Sequence, residues 1–270
     1  MFKVRLLSGI ALVLLAVLTL YMGGVITMAA MMIVSLIGVS ELLRVYQIEK
    51  SSMAVIVYCG TILYYLMLFF GVGSWGMMFL LVLMIFLLGA YVFCYPKYNA
   101  NQMMAAFFSV IYVSMMLSYI YQLRILQNGL EYVVLIFIAA WGTDTFAYCS
   151  GMLFGKHKMT PQLSPKKTIE GAVGGLIGAA LLGALYGFFI STQLRLDFNP
   201  IAIFPVICVV GGVLSMIGDL AASAIKRNFD IKDYGTLIPG HGGILDRFDS
   251  IIIIAPVVYL IMAMLTGTTL

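Results

Sequence analysis

Residues 51–96 read SSMAVIVYCGTILYYLMLFFGVGSWGMMFLLVLMIFLLGAYVFCYP, with no Lys, Arg, Asp or Glu anywhere in the run. One bilayer-spanning helix needs about 20 apolar residues, so this stretch holds two, and Gly71, Gly73, Ser74 and Gly76 supply the turn between them. The strict alternation of a membrane barrel strand, ~10 residues long, is missing. The rest of the chain has the same character. Its 270 residues are 63% hydrophobic and 10% charged, whereas soluble domains carry about 25% charged residues. The fold class that follows is an all-α integral membrane protein. Apolar runs predict nine transmembrane helices, over 6–22, 24–40, 53–71, 77–95, 102–121, 130–151, 170–191, 201–225 and 250–266. Residues 1–125 then form a scaffold of N-terminal helices, and 126–270 form the helices that carry the chemistry.

The N-terminal MFKVRLLSGIALVLLAVLTLYM has the basic start and apolar run of a signal peptide. No small-x-small site closes the run and it is long enough to span, so a retained first helix is expected. Cys59, Cys94, Cys149 and Cys208 each stand alone in apolar surroundings, which reads as small buried hydrophobes, not a disulfide framework or a zinc site. The net charge of +4 points to membrane orientation and an anionic substrate, with no nucleic acid implied.

Nine spans put the termini on opposite sides. With the N-terminus in the cytoplasm, the inner segments hold Lys3, Arg5, Arg44, Lys50, Lys97, Lys156, Lys158, Lys166, Lys167, Lys226, Arg227, Lys232 and Arg247, against Arg124 and Arg195 outside. The positive-inside rule favours this orientation, and the C-terminus falls outside. Two long inner loops, 152–169 and 226–249, are rich in Lys, Gly and Pro. Long same-side polar loops are where a membrane enzyme places its chemistry.

The densest polar stretch is Ser223 to Asp249, SAIKRNFDIKDYGTLIPGHGGILDRFD. Flexible glycines, fixed cations and paired carboxylates suggest metal-assisted work on phosphates. Asp144 and Asp219 fall inside predicted spans, where an ionisable side chain costs ~2.5–3.5 kcal/mol on insertion scales. Each is therefore read as functional, the alternative being an aspartate bonded to a neighbouring helix or to water. Asp246 and Asp249, at i and i+3, share one helical face; helix capping is the alternative for one of them, and suits Asp249 better. Asp219, Ser223 and Lys226 share another face, with Arg227 one position round, and Trp141, Asp144 and Tyr148 a third. In Ser164–Gly171, SPKKTIEG, Lys166 and Lys167 precede a helix start, which is poor for the dipole but suits a phosphate grip; topology-setting lysines are the duller reading. Glycines 171, 174, 175, 178, 183 and 187 read as close helix packing. His241, between glycines, is placed to donate to a phosphate or base. Several carboxylates at one depth suit Mg²⁺, which binds oxygen ligands and shares its shell with waters and phosphates.

The pattern S-x-x-K-R-x-x-x-x-K-D-x-G-x-x-x-P-G-H-G-G-x-x-D-R-x-D, running from Ser223 through Lys232, Asp233, Gly235, Pro239 and His241 to Asp249, resembles the signature of the CDP-diacylglycerol synthases, also called phosphatidate cytidylyltransferases. W-x-x-D-x-x-A-Y at Trp141–Tyr148 and the SPKKTIEG loop are similar to the same family. The match is concentrated in 141–250. The resemblance implies that CTP and phosphatidic acid are converted to CDP-diacylglycerol and pyrophosphate, with Mg²⁺, in an all-helical membrane fold and a homodimer. Carried onto these positions, it implies Asp219 and Asp246 as catalytic metal ligands, Asp144 and Asp249 as further ligands, and room for a second cation. Lys226 and Arg227 become catalytic cations. Ser164, Lys166, Lys167, Thr168, Ser223, Lys232, His241 and Arg247 become substrate contacts. The setting implied is a bacterial inner membrane with the site facing the cytoplasm. A phosphomonoester has a second pKa of roughly 6, so the nucleophile is largely a dianion at neutral pH, and charge neutralisation and positioning are the main catalytic tasks. The rival readings are a cytidylyltransferase or kinase for another lipid, or a secondary transporter with intramembrane carboxylates. Against the transporter, the acidic residues gather toward one face and no inverted repeat is visible. The DGxxAR pattern of CDP-alcohol phosphotransferases is absent.

Overall fold

The computed structural model describes residues 2–194, 196–238, 240 and 242–268, with side chains from residue 8 onward. The first helix, α1, is Phe2–Met22, and its apolar part is Ser8–Met22. Among the described residues, eight further helices are long and apolar enough to cross a membrane: α2 (Gly24–Val45), α3 (Ser52–Phe69), α4 (Gly73–Phe93), α5 (Ala100–Arg124), α6 (Gly129–Phe154), α7 (Ile169–Gln193), α8 (Pro200–Asn228) and α9 (Leu245–Leu265). Single π-helical stretches interrupt α5 at Val110–Met115 and α6 at Ile138–Gly142. The chain is an all-α integral membrane protein, as its apolar runs predict. The four cysteines are free, as expected, but only Cys208 is buried: Cys59 and Cys149 are exposed and Cys94 is intermediate, because they stand on helix faces turned away from the protein core.

Three local features differ from the sequence expectation. α2 runs one turn past 40, because Leu42 and Leu43 are fully buried and extend its packed face. α9 starts at Leu245, not near 250, so Asp246 and Asp249 both lie within the helix. The loop after α6 is not irregular: Lys158–Thr160 (β1) and Ser164–Thr168 (β2) pair as an antiparallel hairpin.

The chain divides into two compact units. The first runs to Tyr121 and adds Asp233–Arg247; the second comprises Gln122–Lys232 and continues from Phe248. In the first unit, Leu42, Met53, Val57, Tyr65, Leu87 and Leu117 are completely buried. Hydroxyls among them pair off, Ser35 with Tyr65 at 2.8 Å and Thr61 with Ser114 at 2.8 Å, because an unpaired polar group in an apolar medium is costly. The outer face of α4 is equally apolar, with Ile85, Phe86 and Phe93 exposed. A helix that is hydrophobic all round and not enclosed by protein has lipid as its solvent.

In the second unit, small residues let backbones touch. Added Cβ atoms at Gly171 and Gly175 would meet the α6 carbonyls of Ala147 and Thr143, each at 2.8 Å. At Gly183 a Cβ would lie 2.9 Å from both Cys208 Sγ and the Phe204 carbonyl oxygen of α8. Where lipid removes the hydrophobic drive between helices, such close van der Waals packing holds them together. α8 is opened by Asn199, whose side chain accepts from Ile201 N at 3.0 Å, and by Pro200 in the first turn, where a missing N–H costs nothing. Gly183→Val should therefore destabilise the protein by about 1–3 kcal/mol, read as a lowered thermal midpoint in detergent. Leu181→Ala, on an exposed position of the same helix, should leave the midpoint nearly unchanged; equal losses in both would sink this account of the α7–α8 contact.

Candidate functional site

α8 is helical to Asn228, so Asp219, Ser223 and Lys226 project from one face, and Lys226 and Arg227 occupy the last turn, where cations complement the helix dipole. Asp219 is ion-paired with the ammonium of Lys167 from β2. Asp144 of α6, Asp219 and Asp249 of α9 lie within electrostatic reach of one another; Lys167 also acts on Asp144, and Lys226 on Asp249. Three carboxylates and two ammoniums thus form one group in the second unit. Among the described residues of this unit, three buried hydroxyls have no hydrogen-bond partner: Thr143 Oγ1 beside Asp144, Ser215 Oγ one turn before Asp219, and Thr160 Oγ1 on β1. Ser250 Oγ donates to the Ser215 carbonyl at 3.1 Å, and the Asp249 carboxylate accepts from Ser250 N at 2.8 Å.

The hairpin brings Lys167 to this group. In a strand, neighbouring side chains face opposite ways; Lys167 is 25% exposed and turned to Asp219, while Lys166 is exposed. Thr168 ends the strand and caps α7, its Oγ1 accepting from Gly171 N at 3.1 Å. Glu170 then ties the hairpin back to the helix. It accepts from Lys156 N at 3.1 Å and His157 N at 3.2 Å, and bonds His157 Nδ1 at 2.6 Å. Beside the hairpin lies a cavity of ≈ 310 Å³, walled by Tyr148, Met152, Met159 and Met216 and edged by Asp144, Lys166 and Lys167. Ser164 sits half-buried on β2.

The remaining signature residues belong to the first unit. Asp246 Oδ2 accepts from Tyr234 N at 2.8 Å and Gly243 N at 3.0 Å, closing the segment between them into a loop. Ile238 N donates to the Gly242 carbonyl at 2.9 Å, and Gly242 has φ +86°, a conformation that suits glycine. Arg247 is exposed, as are Arg227 and Lys232 of the second unit. His241 and Pro239 lie outside the described residues. Asp246 accepts from Gly243 N just ahead of α9, whereas Asp249, the residue expected to suit a cap, sits in the second turn and bonds Ser250 N.

One residue of this loop's surroundings escaped the sequence reading. Glu41 of α2 is 3% exposed. Its two carboxylate oxygens accept from Ile244 N and Leu245 N, each at 2.9 Å. The available signal was an acidic residue next to an apolar run; a helix assumed to stop at 40 left it in a polar turn. His157, whose bond to Glu170 needs the hairpin, was equally hidden.

A sequence model described as "Cytidylyltransferase family" matches residues 3–265. The chain belongs to that family. Among curated members, it is 37% identical over 266 residues to the phosphatidate cytidylyltransferase of Staphylococcus haemolyticus, covering 96% of this chain and 98% of that protein. It is 36% identical over 266 residues to the phosphatidate cytidylyltransferase of Staphylococcus saprophyticus, with the same coverage of both chains. To that of Staphylococcus aureus strain COL it is 35% identical over 267 residues, again covering 96% of this chain and 98% of the relative. The match therefore extends beyond 141–250 into the N-terminal helices.

For a member of a nucleotidyl-transferring family, a divalent cation is the expected helper, and the donor set fits one. Asp144, Asp219 and Asp249 offer only oxygen ligands, and the Thr143 and Ser215 hydroxyls are unspent. Among the described residues no three His, Cys, Asp or Glu converge tightly enough to enclose an ion by themselves. A Mg²⁺ ion there would take one or two of these carboxylates and the balance of its shell from water and substrate phosphates. Glu170 latches the residues just ahead of β1 to the start of α7. Glu170→Gln should leave α7 intact but raise amide hydrogen exchange at Lys156 and His157, measured by mass spectrometry; unchanged protection there would show that the latch does not hold the hairpin.

Proposed function

We propose that this protein transfers a cytidylyl group from CTP to phosphatidate, giving CDP-diacylglycerol and pyrophosphate. The observation that carries the reading is the carboxylate–lysine group of the second unit, built by α6, β2, α8 and α9, in a chain that aligns almost end to end with named phosphatidate cytidylyltransferases. A phosphate oxygen of phosphatidate attacks the α-phosphorus of CTP, the bond from that phosphorus to the β-phosphate oxygen breaks, and pyrophosphate leaves with the electron pair. The nucleophile is already an anion, so no general base is required of the protein; two polyanions must be brought together and held in line. When bound, Mg²⁺ neutralises phosphate charge during the transfer.

This chain's residues divide the remaining work. Asp219, with Asp144 or Asp249, would hold the cation, the balance of its shell coming from water and phosphate. Lys167 exchanges Asp219 for a substrate phosphate, with Lys166 beside it, and the methionine-walled cavity takes the glycerol and upper acyl region of the lipid. Lys226, Arg227 and Lys232 screen the triphosphate, with Ser223 one turn from both Asp219 and Lys226. Asp246 and Arg247 contribute from the loop that opens α9, and Ser164, Thr168 and His241 complete the assigned contacts. The distribution of cations supports a cytoplasmic N-terminus and a cytoplasmic site in a bacterial plasma membrane. The family resemblance adds a homodimer and a second cation to the proposal.

Purified protein in vesicles should convert labelled CTP and phosphatidate to CDP-lipid, and chelation of divalent ions should stop it. Asp219→Asn should lower kcat by about 10²–10³-fold, the scale of losing one electrostatic contact to the transition state. Lys167→Gln should raise the KM for phosphatidate. No liponucleotide from the intact protein in the presence of Mg²⁺ would defeat the proposal. Reporter fusions within 226–249 that score as external would defeat the orientation.

A further inference from the structure

We propose that Glu41 is a positioning residue of the active site, a carboxylate supplied by the N-terminal helices that sets the place of Asp246 and Arg247 by holding the start of α9. The inference rests on the cytidylyltransferase reading only for what those two residues do; the holding itself stands on geometry.

A helix begins with backbone N–H groups that have no partner within it, usually met by the side chain of the residue just before the first turn. Here that residue is Ile244, which has no polar atom in its side chain. Glu41 supplies the cap instead, from 203 residues away, with one oxygen on Ile244 N and the other on Leu245 N, each at 2.9 Å. Ile244 and Leu245 are 6% and 2% exposed, so water is a poor substitute. The loop is shaped around this carboxylate. A Cβ on Gly243 would lie 2.5 Å from Glu41 Oε1, and one on Gly235 would overlap the same oxygen. Neither glycine has positive φ, so both are small to make room for Glu41, not to permit a turn.

Stability alone is a weak reason for this arrangement. Well-packed hydrophobic residues often replace buried charges at no loss, and an anion in the last turn of α2 opposes that helix's own dipole. What the carboxylate does achieve is direction. It grips the two residues immediately before Asp246, whose Oδ2 in turn holds Tyr234 N and Gly243 N. Leucine at 41 would fill the space but leave the start of α9 free to shift, and a misplacement of about 1 Å can cost ~100-fold in rate.

Glutamine at 41 keeps the volume, but its amide group would set a donor against one of the two N–H donors. In the full-length protein, Glu41→Gln should therefore fold with a thermal midpoint near that of the intact protein, lose about 100-fold in kcat with the KM for CTP little changed, and exchange the amides of Ile244 and Leu245 faster. A cycle of Glu41→Ala, Gly243→Ala and the double variant gives the second arm. Gly243→Ala should cost activity and amide protection beside Glu41, and add no more than about two-fold once Glu41→Ala has emptied the space, since residues in contact are not additive. Wild-type kcat and unchanged exchange in Glu41→Gln would overturn the proposal. So would a kcat loss that only tracks the folded fraction, or independent effects around the cycle. If the intact protein makes no CDP-lipid, the exchange measurements still decide whether Glu41 holds α9, so the two readings fail separately.

Discussion

A buried carboxylate in a membrane helix must be answered by hydrogen-bond donors, and in this chain the donors answering Glu41 are the first amides of α9. The constraint works in both directions. Glu41 is tolerable in an apolar core only because a helix N-terminus faces it, and α9 can begin at Leu245 only because its amides find acceptors there. The glycines at 235 and 243 leave the room that seats this carboxylate against the helix start. The N-terminal helices thereby do more than anchor the chain in lipid.

The second unit uses charge differently. Its carboxylates stand close to ammoniums, and the counter-charge on Asp219 is Lys167. Helices α6, α7 and α8 are held by backbone-to-backbone contacts at their glycines, and the lysine comes from the β1–β2 hairpin. Fixed anions with a cation beside them suit a reaction whose difficulty is repulsion between two polyanions.

Much of this was legible in the residue string. Asp144 and Asp219 stand out because charge in an apolar run is costly, and the i, i+4, i+7 spacing of Asp219, Ser223 and Lys226 follows from helical period alone. Most span boundaries came within about a turn of those observed; the end of α2 and the start of α9 were each five residues off. The misses have a common cause. Glu41 was passed over because its partners are backbone amides two hundred residues later, and backbone groups carry no sequence signal. The start of α9 was misplaced because its cap is not local. The hairpin at Lys158–Thr168 is too short to show a period, and the bond between His157 and Glu170 exists only once the hairpin has formed.

The sequence by itself determined that the chain lives in a bilayer, where its helices run, which residues are too polar to be there without a reason, and the family signature they spell. Those properties are set by composition and by the 3.6-residue period, and need no knowledge of what touches what. Only the tertiary structure decided the pairings: that Lys167 and not Lys166 meets Asp219, that Asp246 organises a loop while Asp249 joins the carboxylate group, and that Glu41 caps α9. Pairing depends on which backbones can approach in three dimensions, and in this protein that approach is governed by glycines whose partners lie on other helices.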